Sequence, residues 1–144
     1  MRSLLAVVIA LILFSCNSQK KYTEFDISYS RSGGYAPVYE NLLLNGTKAH
    51  YSFEGNGKSV KKDFRITEQE RKEIENAIEV NNFRTIREDY KKVYDNITTS
   101  INIRYGGQSA SKSDGSFIME ADQQRWNAVV KVFQDLIKSR NLQP

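Results

Sequence analysis

The sequence has few of the side chains on which most catalytic and metal sites depend. Its 144 residues include one cysteine, Cys16, and one histidine, His50. A single cysteine excludes an intramolecular disulfide, and a metal site usually needs several clustered His, Cys or carboxylate ligands. A hydrolase needs a nucleophile oriented by a base, and His50, expected on the solvent side of its strand, has no evident partner. We therefore expect no enzyme activity, no metal and no cofactor.

A large excess of charge is absent as well. Apart from an N-terminal segment that carries only Arg2, 20 Lys and Arg stand against 17 Asp and Glu, a net charge of +3. That excess is too small and too scattered to indicate binding to nucleic acid. The densest basic group is typical of a strand edge protected against aggregation, with a site for an anionic partner as the alternative. Its members are Lys58, Lys61, Lys62 and Arg65.

A long hydrophobic run is found only at the N-terminus, where Leu4 to Phe14 are all apolar. As a helix, these residues would be about 16 Å long, roughly half the thickness of a bilayer core. The run therefore indicates the core of a signal peptide and not a membrane span.

The segment Leu13-Phe14-Ser15-Cys16 resembles a bacterial lipobox, in which a small residue precedes the cysteine that is lipidated. The resemblance implies a signal peptide at 1–15, a lipid anchor on Cys16 and a short tether at 16–23 close to the membrane surface. Asn17, which stands where an aspartate would favour the inner membrane, implies the outer membrane of a Gram-negative cell envelope. An ordinary secretory signal that contains a cysteine is the alternative.

Alternating apolar residues predict strands in the first part of the remaining chain. The alternation from Phe25 to Tyr29 is typical of a half-buried strand, and three similar runs follow. Asn45-Gly46 and Gly55-Asn56-Gly57 favour tight turns between them. We expect these four strands to form an antiparallel meander. Because three leucines are consecutive in 38–44, the pattern does not decide which side of that strand faces the core.

The second part predicts two helices and a further strand pair. Thr67 and Glu70 match a capping box, so the first helix begins there and ends at Asn81-Asn82. Strands are expected from Ile97 to Tyr105 and near 109–113. Asp122 is expected to cap the last helix, whose apolar stripe faces the core. The stripe consists of Trp126, Val129, Val130, Phe133, Leu136 and Ile137.

These patterns predict a single α+β domain over 24–144, an antiparallel β meander with a further strand pair and two covering helices, in the order ββββαββα. With 144 residues there is no room for two domains that each have a core.

The loop Arg31-Ser32-Gly33-Gly34-Tyr35-Ala36-Pro37 resembles part of a known family. Together with the preceding strand it is similar to the opening strand of emfourin, a small bacterial inhibitor of thermolysin-type metalloproteases, which ends in Arg-Ser-Gly-Gly-aromatic. The order of the elements also agrees. Pro37, where that family is expected to have glycine, the lipid anchor and the longer 47–66 region are departures. The resemblance implies a protein-binding site at Arg31, Gly33, Gly34 and Tyr35, with a protease as the partner.

A second resemblance involves the same loop. Gly34, Pro37 and Tyr39 match the Cys-x-Gly-x-Cys-Pro-x-Tyr signature of an uncharacterised family of secreted bacterial domains. Ser32 and Ala36 stand at the two cysteine positions, so a disulfide that closes this loop in relatives is missing here. No activity is implied by this family.

Three hypotheses about function remain open. A glycine pair lets a backbone approach a partner closely, Tyr35 could fill a pocket and Arg31 could pair with a carboxylate, which together favour a protein-binding module. If the glycines only let the chain cross between strands, a structural or assembly role in the envelope is the alternative. An enzyme that uses surface carboxylates such as Asp89 and Asp95 is the third and least supported hypothesis.

Overall fold

The computed structural model describes residues 25–91, 95–105 and 109–144. The expected signal peptide, the lipidated Cys16 and the tether lie outside the described residues. Within the described part of the chain, no helix is both long enough and apolar enough to cross a bilayer.

The described residues form the α+β fold that the sequence predicts. One antiparallel sheet has the strand order β4-β3-β2-β1-β5-β6, so the first four strands are a meander and the last pair is joined to β1. The strands are β1 (Ile27–Gly33), β2 (Val38–Asn45), β3 (Lys48–Gly55), β4 (Lys58–Arg65), β5 (Ile97–Ile103) and β6 (Ala110–Ser113). The helices are α1 (Glu68–Val80) and α2 (Gln123–Ser139), with short 3-10 turns at Phe83–Thr85 and Glu120–Asp122. The predicted order ββββαββα is confirmed.

Both helices pack on one face of the sheet, which we call the helix face. Tyr29 of β1 lies opposite Leu42 of β2 and Ile101 of β5, and all three are fully buried. The ring of Tyr29 stacks on Phe133 of α2 with 5.3 Å between the ring centroids. Burial of one large apolar side chain contributes about 1.5–3 kcal/mol, so this shared core holds the helices on the sheet.

The opposite face, which we call the open face, is polar. Because side chains alternate along a strand, the consecutive leucines of β2 divide between the two faces. Leu42 and Leu44 are buried on the helix face, whereas Leu43 lies on the open face and is only partly buried. On the open face the hydroxyl groups of Ser100 and Ser113 are hydrogen-bonded across β5 and β6 at 3.1 Å.

The helix boundaries agree with the sequence, and one of the two predicted side-chain caps is formed. The capping box of α1 is formed, since the Thr67 hydroxyl accepts from the Glu70 N–H at 3.0 Å and the Glu70 carboxylate accepts from the Thr67 N–H at 2.7 Å. Helix α1 ends at Val80, next to the predicted Asn81-Asn82 stop. Asp122 does precede α2, but its side chain makes no capping hydrogen bond. Asp122 therefore stands at the predicted N-cap position, but its carboxylate is bonded to two arginines and does not cap the helix.

The two ends of the sheet carry different parts of the chain. At the entry end, where the chain enters β1, the Arg71 guanidinium donates to Asp26 at 3.0 Å and to Glu75 at 2.6 Å. At the loop end, Gly33 lies opposite both Val38 and Ile97, so the β1–β2 loop and the start of β5 are adjacent. The seven residues of β1 separate the two ends by about 23 Å.

Strand β4 forms one edge of the sheet and pairs with β3 alone among the described strands. The basic group found in the sequence lies on this strand, with Lys58, Lys61, Lys62 and Arg65 all exposed. The prediction that the group belongs to a strand edge is confirmed.

Candidate protein-binding site

Tyr35 is at the tip of the β1–β2 loop and is the most exposed large apolar side chain among the described residues. It is 98% exposed, and it stands in the short turn 34–37 between Gly33 and Val38. An exposed tyrosine offers a rigid, amphipathic surface that loses little conformational entropy on binding. The sequence-based placement of Tyr35 at a loop tip is therefore correct.

The two glycines of the loop are required by contacts within the chain itself. Gly33 has φ = +103°, and a Cβ atom there would lie 2.8 Å from the carbonyl oxygen of Asn96. Gly34 has φ = +91°, and its Cβ would lie 3.1 Å from Cγ1 of Ile97. Both the backbone conformation and the close packing against β5 thus favour glycine. The glycine pair thus lets the loop lie close to Asn96 and Ile97 of its own chain.

Arg31 does not share the loop surface with Tyr35. It lies on the helix face, opposite Glu40 in register, and its guanidinium donates to the Glu40 carboxylate at 3.2 Å. Its side chain is 29% exposed. The structure therefore brings Gly33, Gly34 and Tyr35 together and directs Arg31 toward a carboxylate of the same chain.

Glu40 is a buried carboxylate that sequence reasoning missed. It is 2% exposed and also accepts a hydrogen bond from the Tyr51 hydroxyl at 2.8 Å. Burial, followed by the hydrogen bond to Glu40, raises the pKa of Tyr51 well above its ordinary value. The signal was present in the sequence, because Glu40 has the same strand parity as Leu42 and Leu44.

The Tyr29 hydroxyl lies near this cluster and has no hydrogen-bond partner among the described residues. Burial raises the pKa of Tyr29 to about 12, and the neighbouring Arg31 and Gln134 act in the opposite direction. The hydroxyl is therefore held un-ionised at neutral pH, so it supplies no base.

A cleft of about 320 Å³ opens between α2 and the start of β5, beside Arg31. Its one carboxylate, Asp114, accepts from the backbone N–H of Thr99 at 2.6 Å and from the Trp126 indole N–H at 3.4 Å. Both oxygens of Asp114 are thus engaged by the fold.

Other large apolar side chains are exposed at the loop end and in the segments that follow α1 and β6. Ile97 lies opposite Gly33 and Tyr39 lies opposite Ser32. The backbone N–H of Asp89 donates to the Phe117 carbonyl at 3.0 Å, which puts the segment that carries Tyr90 beside the chain after β6. We call this set the aromatic rim. Its members and exposed fractions are Tyr35 (98%), Tyr90 (82%), Tyr39 (54%), Phe117 (50%) and Ile97 (39%).

The environment of His50 differs from the one that the sequence predicts. It lies on the open face as predicted, but its side chain is only 13% exposed and its Nδ1 lies 2.6 Å from the Asp63 carboxylate of β4. The expectation that His50 has no partner was therefore wrong. Asp63 lies directly opposite His50 in register, so the pair arises from the β3–β4 hairpin. A shallow groove of about 500 Å³ surrounds it, also lined by Leu43, Lys48 and Arg65.

Among the residues that the structure describes, no group of three His, Cys, Asp or Glu side chains is arranged to hold a metal ion. No protein-family model matches the chain, and no curated protein is significantly similar to it.

Proposed function

We propose that this chain is a non-catalytic lipoprotein of the bacterial cell envelope, anchored through Cys16, whose domain binds a protein partner at the loop end. The observation that carries the proposal is Tyr35, which is 98% exposed at the tip of a short loop. Large aromatic side chains in such positions are typical of the residues that dominate binding energy at interfaces.

The fixed backbone of the loop supports this function. Gly33 and Gly34 pack against Asn96 and Ile97, so the loop does not have to be ordered when a partner binds. Each side chain or loop that must be immobilised lowers the affinity. A loop whose first residues are held against the start of β5 therefore favours binding more than a flexible loop would.

The position of the rim also supports it. The chain enters the domain at Asp26, at the end of the sheet opposite the loop, about one strand length of 23 Å away. With a lipid anchor on the N-terminal side, the aromatic rim is then remote from the point of attachment. It remains accessible to a protein in the surrounding compartment.

We further propose that the partner is a protease of the thermolysin type, as the similarity to emfourin implies. Since Arg31 is bonded to Glu40, the contact surface consists of Tyr35 and its neighbours in the rim. Arg31 supports the loop from the helix face.

The test is an inhibition assay of the mature, unacylated chain against a thermolysin-type protease. We expect inhibition at micromolar concentration by the wild type and a loss of at least about thirtyfold in Tyr35→Ala, as for an interface residue worth about 2 kcal/mol. Val80→Ala is the matched control, because Val80 is 64% exposed on α1 outside the rim. It should inhibit like the wild type. If the wild type does not inhibit, the protease partner is excluded.

The alternative is a structural or assembly role in the envelope without inhibitor activity. The contacts of Gly33 and Gly34 with their own sheet favour it, because they explain the glycines without a partner. Under this alternative, the same proteins should cross-link to Tyr35→Ala and to the wild type in intact cells.

The anchor is tested separately by Cys16→Ala. We expect this variant to leave the membrane fraction after a wash with about 0.5 M salt, which screens weak electrostatic attraction. Continued sedimentation of Cys16→Ala with washed membranes would contradict the lipid anchor.

A further inference from the structure

Strand β4 carries four exposed cations in a single strand of eight residues. Lys58, Lys61, Lys62 and Arg65 are all exposed, and none of them forms an ion pair with a described residue. The carboxylate on the strand, Asp63, is bonded to His50. Many other cations of the described residues are paired: Arg31, Arg71, Arg87, Lys91, Arg125, Lys131 and Arg140.

The four cations form a ridge along the sheet edge. Lys58 and Lys62 have the parity of the helix face, whereas Lys61 and Arg65 have that of the open face. Their long, flexible stems let both pairs reach beyond the edge into one plane. The eight residues of β4 make this ridge about 26 Å long.

A second copy of the chain is a poor occupant of this edge. Pairing two β4 edges would add main-chain hydrogen bonds, but it would bring four cations of each copy together. Like charges on adjacent strands are destabilising, and charged edges are a common way to prevent such pairing. The ridge needs a partner with dense negative charge.

We propose that the β4 ridge binds the anionic surface of the membrane to which the chain is anchored. The inference rests on the proposed lipid anchor for its setting. Nine residues from Cys16 to Phe25 allow a reach of at most about 30 Å. The Arg65 end of β4 lies at the entry end, about three strand spacings or 14 Å from the start of β1. The ridge is therefore within reach of the surface that holds the anchor.

The test uses the mature chain without acyl groups and measures co-sedimentation with vesicles. One set contains phosphatidylcholine alone, and the other contains about 30% phosphatidylglycerol. We expect binding to the anionic vesicles only, and loss of that binding in about 0.5 M salt. Each cation near an anionic surface strengthens binding about fivefold.

The main variant changes Lys58, Lys61, Lys62 and Arg65 to Gln together, and it should weaken binding by at least about a hundredfold. The matched control changes the same amount of charge elsewhere, at the exposed residues Lys72, Lys91, Lys131 and Lys138, and should bind nearly as the wild type does. If the main variant aggregates, the single variants Lys58→Gln and Lys62→Gln should each lower binding about fivefold.

Equal losses in the main and control variants would overturn the proposal, since net charge alone would then explain binding. Wild-type chain that does not bind the anionic vesicles at low salt would overturn it too. Neither result bears on the proposal that Tyr35 binds a protein partner, because that binding is assayed without lipid. Release of Cys16→Ala from salt-washed membranes likewise tests the anchor without the ridge.

Discussion

Glu40 is the residue whose position is least expected from its chemistry, because a carboxylate occupies a core position of β2. Removing a carboxylate from water is costly unless its oxygens are bonded, and here Arg31 and Tyr51 bond one oxygen each. Arg31 is partly exposed, whereas Glu40 is almost fully buried. The cluster therefore joins β1, β2 and β3 beneath the loop that carries Tyr35.

We expect Glu40→Ala to lower the free energy of unfolding by about 2–4 kcal/mol, because it leaves the Arg31 guanidinium and the Tyr51 hydroxyl without their partner. Tyr51→Phe should lower the free energy of unfolding by about 1.5–3 kcal/mol, because one hydrogen bond to a charged group is lost. Urea denaturation of the two single variants and the double variant measures both values and their coupling. Glu54→Ala, an exposed carboxylate on β3, is the control and should change stability by no more than about 0.5 kcal/mol. Additive losses in the double variant would contradict a direct bond.

Gly33 allows a second test at the residue scale, with Gly46 as its control. Gly33→Ala should lower the free energy of unfolding by about 2–3 kcal/mol. The conformation at φ = +103° is strained for alanine, and the new Cβ would meet the Asn96 carbonyl. Gly46 has φ = +56°, and no atom lies within 4 Å of the position that a Cβ would take there, so Gly46→Ala should cost only about 1 kcal/mol. Urea denaturation of both variants measures the difference. Equal costs would show that the contact with β5 does not constrain the loop.

At the scale of elements, Asp122 connects the segment after α1 to the first turn of α2. Its carboxylate accepts from the backbone N–H and side chain of Arg87, both at 3.0 Å, and from Arg125 at 2.5 Å. Arg125 and then Arg87 lower the pKa of Asp122 far below its ordinary value. Arg125 also donates to the Asn81 carbonyl at 3.0 Å, so α2 is fixed to the end of α1.

This pairing predicts the sign of a pH effect. The unfolded chain takes up a proton on Asp122 near pH 4, whereas the folded chain resists protonation down to a lower pH. The stabilisation is therefore complete above about pH 4 and is lost as the pH falls through the folded pKa. In urea denaturation between pH 7 and pH 2, the wild-type midpoint should fall more steeply below about pH 4 than that of Asp122→Asn.

Glu120→Gln is the control for this experiment, since Glu120 is an exposed carboxylate of the same 3-10 turn without an ion pair to a described residue. It should keep the wild-type slope. Glu70, whose pKa is lowered by Arg140, contributes in the same direction, so Asp122→Asn reduces the slope without abolishing it. An unchanged slope in Asp122→Asn would contradict the pairing.

Elements that depend on neighbours in sequence could be predicted, and contacts between distant residues could not. The strand parity around Tyr29 and the capping box at Thr67 are local, and both predictions are confirmed. The pair of His50 and Asp63 depends on the register of a hairpin, and the bond from Arg87 to Asp122 joins residues 35 positions apart. At the site, the exposure of Tyr35 was predictable from its loop position. The direction of the Arg31 side chain, by contrast, follows from its position opposite the buried Glu40 in the register of β1 and β2.

At the scale of the whole molecule, one core contacts both helices and the sheet. Trp126, which is the single tryptophan, is 1% exposed. Its ring stacks on Phe83 of the segment after α1, with 6.4 Å between the centroids, and its N–H reaches Asp114 after β6 at 3.4 Å. The side chain thus reports on both helices and on the β5–β6 side of the sheet at once.

Because the two helices have no core of their own apart from the sheet, the domain should unfold as one cooperative unit. We expect the fluorescence of Trp126 and the far-UV circular dichroism of the mature chain to change with the same urea midpoint. Trp126→Phe keeps an aromatic ring in the core and removes the indole signal, so it measures what the tyrosines contribute. A fluorescence transition that precedes the loss of secondary structure would mean that α2 separates from the sheet first. The sheet that carries Tyr35 would then lose the packing of Phe133 on Tyr29, and a rigid domain could not be what presents Tyr35 to a partner.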